Sequence, residues 1–177
     1  STDGGMTWMT ASQGLPLNHS VYALAMSPAY ASDRTVYAGV NNWGAYRSQD
    51  GAQSWSPITT GLEGVSSLVE FEIAPTFEVT GVVYAVSESG DLYRTDDGEN
   101  WVGLTALPGG REAWSMDASP DGAILFVGTN EGVITSTDKG ISWHVANGGI
   151  GSVGVDDIAI SSDFATDQTV WACGNQD

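Results

Sequence analysis

The chain has 177 residues, 41% hydrophobic and 15% charged, which is enough apolar material for a core and argues against disorder. Five Lys and Arg stand against 22 Asp and Glu, a formal charge of −17. Such a surface repels phosphate backbones and anionic lipid, so nucleic-acid binding and direct membrane docking are set aside, and no apolar run approaches the ~18 residues of a membrane-spanning helix.

Twenty-three glycines and seven tryptophans, with no helical periodicity, predict an all-β chain with tight turns. The chain opens on Ser1-Thr2-Asp3-Gly4-Gly5-Met6-Thr7-Trp8. An apolar strand then ends in a turn at Ser27-Pro28, a second strand follows at Thr35-Val36-Tyr37-Ala38, and a third at Gly44-Ala45-Tyr46-Arg47. This third strand runs into Ser48-Gln49-Asp50-Gly51-Ala52-Gln53-Ser54-Trp55, a copy of the opening motif. The same order returns twice more. Turns at Ala74-Pro75 and Ser119-Pro120 precede strands at Val82-Val83-Tyr84-Ala85 and Ile124-Leu125-Phe126-Val127. Further copies of the motif stand at Arg94-Thr95-Asp96-Asp97-Gly98-Glu99-Asn100-Trp101 and Ser136-Thr137-Asp138-Lys139-Gly140-Ile141-Ser142-Trp143. A last unit reaches its second strand at Thr169-Val170-Trp171-Ala172. The motif tryptophans are spaced by 47, 46 and 42 residues, the period of a four-stranded propeller blade.

The motif spans the turn between the third and fourth strands. Its aspartate (Asp3, Asp50, Asp96, Asp138) is expected to accept hydrogen bonds from turn N–H groups. Its glycine supplies the backbone conformation, and its hydroxyl ties the arms together. Its tryptophan (Trp8, Trp55, Trp101, Trp143) packs across the hairpin base with its N–H on a carbonyl. Four copies make these structural roles the expectation. The pattern resembles the Asp-box (BNR) repeat of sialidases, xyloglucan-cleaving glycoside hydrolases, sortilin-type receptors and photosystem II assembly-factor-like propellers. The resemblance covers almost the whole chain, with Arg94 and Asn100 departing from the pattern in the third box. It implies a β-propeller segment of antiparallel blades at about 21–57, 68–103 and 114–145, with half-blades at 1–12 and 156–177. Either the termini meet in a composite fourth blade, or the chain is an arc of a larger ring. An open arc would expose two apolar blade faces, which favours the ring.

The resemblance to sialidases implies three clustered arginines for a substrate carboxylate. The chain has Arg34, Arg47, Arg94 and Arg111, but Arg47 and Arg94 share one repeat slot beside a box, which marks them as structural. Other glycosidases need two carboxylates roughly 5–9.5 Å apart. Glu70, Glu72, Asp117 and Asp157 fall on first strands, which line a propeller's channel, and are the candidate catalytic residues; a solvated lining is the plainer expectation. Gly149-Ile150-Gly151-Ser152-Val153-Gly154 matches G-x-G-x-x-G, but no helix follows it. Asp96 to Asn100 lacks the spacing of a calcium loop. His19 and His144 make neither a triad nor a metal set, so no cofactor or metal is expected. Cys173, in an apolar stretch, is expected as a small buried hydrophobe. Trp43, in the turn Asn41-Asn42-Trp43-Gly44, is the candidate partner contact.

The sequence therefore predicts a non-catalytic interaction or scaffold module outside the cytoplasm. Its partner would be a protein, the remainder of its own chain or another copy of itself. The alternatives are a fragment of a xyloglucanase- or sialidase-like propeller hydrolase acting on polysaccharide, and an assembly factor for a membrane complex.

Overall fold

Period-two apolar runs separated by turn residues fold into sheets whose strands lie side by side in chain order. A computed structural model describes residues 1–75, 77–151 and 153–174. The first sheet holds β1 (Val21–Met26), β2 (Val36–Val40), β3 (Gly44–Ser48) and β4 (Ser56–Pro57). The second holds β5 (Leu68–Ile73), β6 (Val83–Ser87), β7 (Leu92–Thr95) and β8 (Trp101–Gly103). The third holds β9 (Ala113–Ala118), β10 (Leu125–Thr129), β11 (Gly132–Ser136) and β12 (His144–Val145). All neighbours are antiparallel. A further pair, β13 (Asp157–Ile160) and β14 (Val170–Cys173), begins another sheet. Residues 1–20 hold a formed box but no strand. Ser152 of the glycine motif and the last three residues of the C-terminal half-blade lie outside the described residues.

The turns between first and second strands are built by carboxylates. Asp33 accepts the Ser27 hydroxyl at 2.6 Å and the Thr35 N–H at 2.8 Å, and Asp167 does the same with Ser161 and Thr169 at 2.6 and 2.9 Å. Each closes a single helical turn, α1 (Tyr30–Asp33) or α3 (Phe164–Asp167); a third such turn, α2 (Phe77–Thr80), fills the same place in the second sheet. The third sheet uses a tighter loop in which Asp121 accepts the Ser119 hydroxyl. In all three full sheets the first strand carries a bulge, at Tyr22, Val69 and Trp114, where the pairing register skips one residue.

The core lies between successive sheets. Tyr37, Ala45, Ile58 and Leu62 of the first sheet pack on Leu68, Phe71, Ile73, Val83, Ala85 and Trp101 of the second. Tyr84, Val86, Leu92 and Leu107 meet Met116, Leu125, Val127 and Ile134 in the next gap. Val133 and Phe126 meet Val155, Ile158 and Val170 in the third. Strand alternation therefore assigns each face to one neighbour. The sheets approach closely where side chains vanish: a Cβ on Gly39 would sit 2.3 Å from the Leu68 carbonyl oxygen. Cys173, expected to be buried, is exposed among the described residues, as are its strand neighbours Trp171 and Ala172.

Candidate functional site

Two sets of residues carry polar chemistry: the boxes at the rim and the carboxylates on the inner strands. In the second box the Ser48 hydroxyl donates to Asp50 Oδ1 (2.8 Å) and accepts the Ala52 N–H (2.8 Å). Asp50 accepts the Ser54 N–H at 2.9 Å and the Ser54 hydroxyl at 2.6 Å. Ser1, Asp3 and Thr7 repeat this arrangement, as do Ser136, Asp138 and Ser142. In the second and fourth boxes two consecutive residues take left-handed backbone, Gly51-Ala52 (φ 75° and 68°) and Lys139-Gly140 (φ 62° and 84°). Hydrogen bonds from Ser54 and Ser142 hold Asp50 and Asp138 down at about 2, so these carboxylates are turn scaffolds that stay ionised.

The third box corrects the sequence reading. Thr95, not Arg94, pairs with Val83 as Ser48 pairs with Val36. The box carboxylate is accordingly Asp97, not Asp96. Asp97 accepts the Thr95 hydroxyl (2.8 Å), the Glu99 and Asn100 N–H groups (2.8 Å each) and the Asn100 side-chain amide (2.6 Å). These bonds, the Asn100 N–H first, hold its carboxyl below the usual range. The turn is one residue shorter than the others, with one left-handed residue, Gly98 (φ 72°), where the second and fourth boxes have two. Asp96 points outward and pairs with Arg94. Asp97→Ala is expected to lower the melting temperature measurably and Asp96→Ala to leave it unchanged; equal effects would contradict this assignment.

Two of the box tryptophans, Trp55 and Trp101, bond to the preceding unit and not to their own hairpin. Trp55 Nε1 donates to the Ala11 carbonyl at 2.9 Å, and Trp101 Nε1 to the Ile58 carbonyl at 2.9 Å. Each acceptor lies three residues past the preceding box tryptophan. Backbone bonds from Trp55 N to Gln13 O and from Trp101 N to Thr60 O lie beside them. Trp143 is buried in the same way, but its N–H has no partner among the described residues. Trp8 is 79% exposed. The arginines clamp in the other direction. Arg47 donates to the Gly98 carbonyl of the next box (3.2 Å) and pairs with Glu99. Arg94 donates to the Lys139 carbonyl of the next box at 3.2 Å. At that position Ile141 replaces the acidic partner, so Arg94 turns to Asp96. The rim cleft there, about 500 Å³, is consequently apolar along Val102, Leu104 and Ile141. Its counterpart between the first two sheets, about 430 Å³, is lined by Arg47, Asp50, Ser54 and Glu99.

The inner-strand carboxylates come together across the second and third sheets. Burial pushes Glu72 up to about 8, with the charges of Asp117 and Glu70 adding to it. Burial pushes Glu70 up to about 7, opposed by the Met116 N–H and reinforced by Asp157 and Asp117. Asp117 is raised by burial as well, against two backbone bonds: Oδ2 accepts the Ile160 N–H at 2.6 Å and Oδ1 the Ala118 N–H at 2.7 Å. Asp117 thus straps β13 onto β9. Asp157 is exposed and accepts the Ile158 N–H at 2.9 Å. Neither rim cleft is lined by any of the four. Among the described residues no group of three or more His, Cys, Asp or Glu side chains is placed to hold a metal ion. Trp43 is 48% exposed and donates its indole N–H to His19 Nε2 at 2.9 Å, edge-on to the imidazole. The sequence reading reaches neither the role of Asp97 nor the Asp117 strap. The spacing Thr95-x-Asp97, matching Ser48-x-Asp50, is the available signal for the first.

No protein-family model and no curated protein matches the chain. Solved structures do. The GH74 enzyme of Niastella koreensis superposes with a TM-score of 0.67 at 18% identity, over 91% of this chain and 27% of that one. The GH74 xyloglucanase of Xanthomonas campestris gives 0.65 at 20% identity, over 96% and 29%. YCF48, solved bound to a D1 peptide, gives 0.66 at 23% identity, over 98% and 53%. The chain thus spans less than a third of the two GH74 enzymes and about half of YCF48. At these identities the likeness establishes the architecture: the chain is a stretch of β-propeller, a fold it shares with both glycoside hydrolases and a peptide-bound protein.

Proposed function

We propose that the chain is a non-catalytic protein-binding or scaffold module that works outside the cytoplasm. The observation that carries this reading is the disposition of the polar groups. Box aspartates are saturated by their own turns, Asp117 is tied to two backbone N–H groups, and Glu70 and Glu72 are drawn between two sheets. Among the described residues of these sets few groups are left free to act on a substrate, while the turns and rim remain as docking surface. The peptide on YCF48 supports the idea that this fold accepts a protein segment. High acidity and a single lysine suit a secreted or surface setting. A membrane-complex assembly factor is the same reading with its partner specified, and co-purification with such a complex would specify it.

One observation favours a hydrolase instead. Glu72, held at about 8, is protonated at neutral pH, as a general acid must be. Turnover separates the readings. The scaffold predicts no release of reducing ends from xyloglucan, other β-glucans or sialosides. The hydrolase predicts release that falls at least about 100-fold in Glu72→Gln or Asp117→Asn with folding intact.

A further inference from the structure

The turns that join first to second strands start on one shared backbone bond. Tyr30, Phe77, Gly122 and Phe164 donate their N–H groups to the carbonyls of Ser27, Ala74, Ser119 and Ser161, each three residues earlier. Three of these equivalent positions are aromatic, and the third sheet has Gly122. Its loop is also shorter. The Ser119 N–H donates to the Ile124 carbonyl, five residues on, where Ser27, Ala74 and Ser161 reach Thr35, Val82 and Thr169, eight residues on.

The aromatic of the turn meets a ring across the gap. Phe77 stands edge-on to Tyr37 of the preceding sheet, with centroids 6.1 Å apart and planes at 89°. Phe164 stands likewise to Phe126, at 5.8 Å and 74°. Tyr84 holds the Tyr37 position in the second sheet, paired with Arg94 as Tyr37 is with Arg47. Gly122 brings no ring to it. A cavity of about 240 Å³ lies there instead, in the middle gap between two full sheets, walled by Ala74, Val82 and Tyr84 and by Asp121, Gly122 and Lys139. An apolar cavity of about 150 Å³ is already large enough for benzene. The buried Tyr84 hydroxyl has no hydrogen-bond partner among the described residues, whereas the Tyr37 hydroxyl donates to the Gly98 carbonyl at 3.3 Å.

We infer that this slot receives the aromatic side chain, phenylalanine or tyrosine, of a partner polypeptide. A ring is the occupant because rings fill the equivalent place in the gaps on both sides. A polypeptide is its carrier because there the ring arrives on a turn of main chain, and main chain brings the carbonyl that the Tyr84 hydroxyl lacks. One aromatic seated in a fitted pocket is a common anchor of protein contacts. The inference rests on the scaffold reading for the nature of the occupant. Turnover decides that reading, whereas ring binding decides this one, and a slot that takes no ring leaves the other surfaces of a scaffold untouched.

Titration with capped tripeptides, followed on the methyl resonances of Ala74 and Val82, tests it. A Gly-Phe-Gly peptide should shift them saturably, and Gly-Leu-Gly should bind severalfold more weakly. Replacing residues 120–123 with the sequence of residues 162–168 supplies the missing turn, with a copy of Phe164 to fill the slot. This graft should abolish the shifts and raise the melting temperature. Should the graft not fold, Ala74→Leu narrows the slot from the opposite wall and should weaken the Phe peptide severalfold. A Phe peptide that does not bind, binds no better than the Leu peptide, or binds equally well to the filled or narrowed slot overturns the inference. Toluene that binds where the Phe peptide does not also overturns it, by making the slot a small-molecule site.

Discussion

Trp101→Ala is expected to lower the unfolding free energy by about 3–5 kcal/mol. Trp101 is 3% exposed, lies among Phe71, Leu62 and Ile58, and bonds the Ile58 carbonyl of the preceding sheet. Its removal opens a cavity between two sheets and leaves a buried carbonyl without its donor. Trp101→Phe and Trp143→Phe refine the comparison. The first gives up a hydrogen bond and the second only an indole N–H with no partner among the described residues, so the first should cost more. Urea denaturation of the three variants measures all of this. If Trp101→Ala cost less than about 1 kcal/mol, the account of the tryptophan as a staple between sheets would fail.

The repeat is legible in the sequence because its signals are local. Aspartate and glycine a few residues before tryptophan define a turn, and alternating apolar residues define the strands beside it, so the sheets can be placed along the chain. What the sequence conceals lies between units. The Trp101 acceptor is 43 residues away, and nothing at Ile58 marks it. Aligning the third box on its tryptophan puts Asp96 in the wrong role, because a one-residue deletion in the turn shifts everything before it. Aligning on the strand, where Thr95 matches Ser48, gives Asp97. The acidic first strands read as channel lining because strand position alone does not say which side chains turn into the gap between sheets. Asp117 shows the difference: its partner is the Ile160 N–H of the next sheet, a contact with no sequence signature.

The same half-buried carboxylates give the second large effect. Between about pH 5 and pH 9 the wild-type chain should become progressively less stable, and Glu72→Gln should remove much of that loss. Glu72 and Glu70 are raised from 4.5 to about 8 and about 7, chiefly by burial. The folded state therefore binds their protons more tightly than the unfolded state does. Their contribution is fully present below the unfolded value and is lost as pH rises through the folded values. Each tenfold gain in proton affinity on folding corresponds to about 1.4 kcal/mol. The two carboxyls lie close enough to titrate together, so the combined loss is on the order of 2–4 kcal/mol. The box aspartates act with the opposite sign. Asp50 and Asp138 are lowered from 3.8 to about 2, so their contribution is present above the unfolded value and lost as pH falls through the folded one. Stability should thus peak in mildly acidic solution, between the acid limb of the boxes and the alkaline limb of the inner strands. Self-repulsion from a charge of −17 also grows with pH, so the slope of the wild type alone would not identify its source. The double variant Glu70→Gln with Glu72→Gln does: it leaves most of the surface charge in place while removing the buried titration. If its melting temperature ran parallel to that of the wild type across this range, the slope would belong to the surface, and the two carboxylates would be better solvated than their place between the sheets implies.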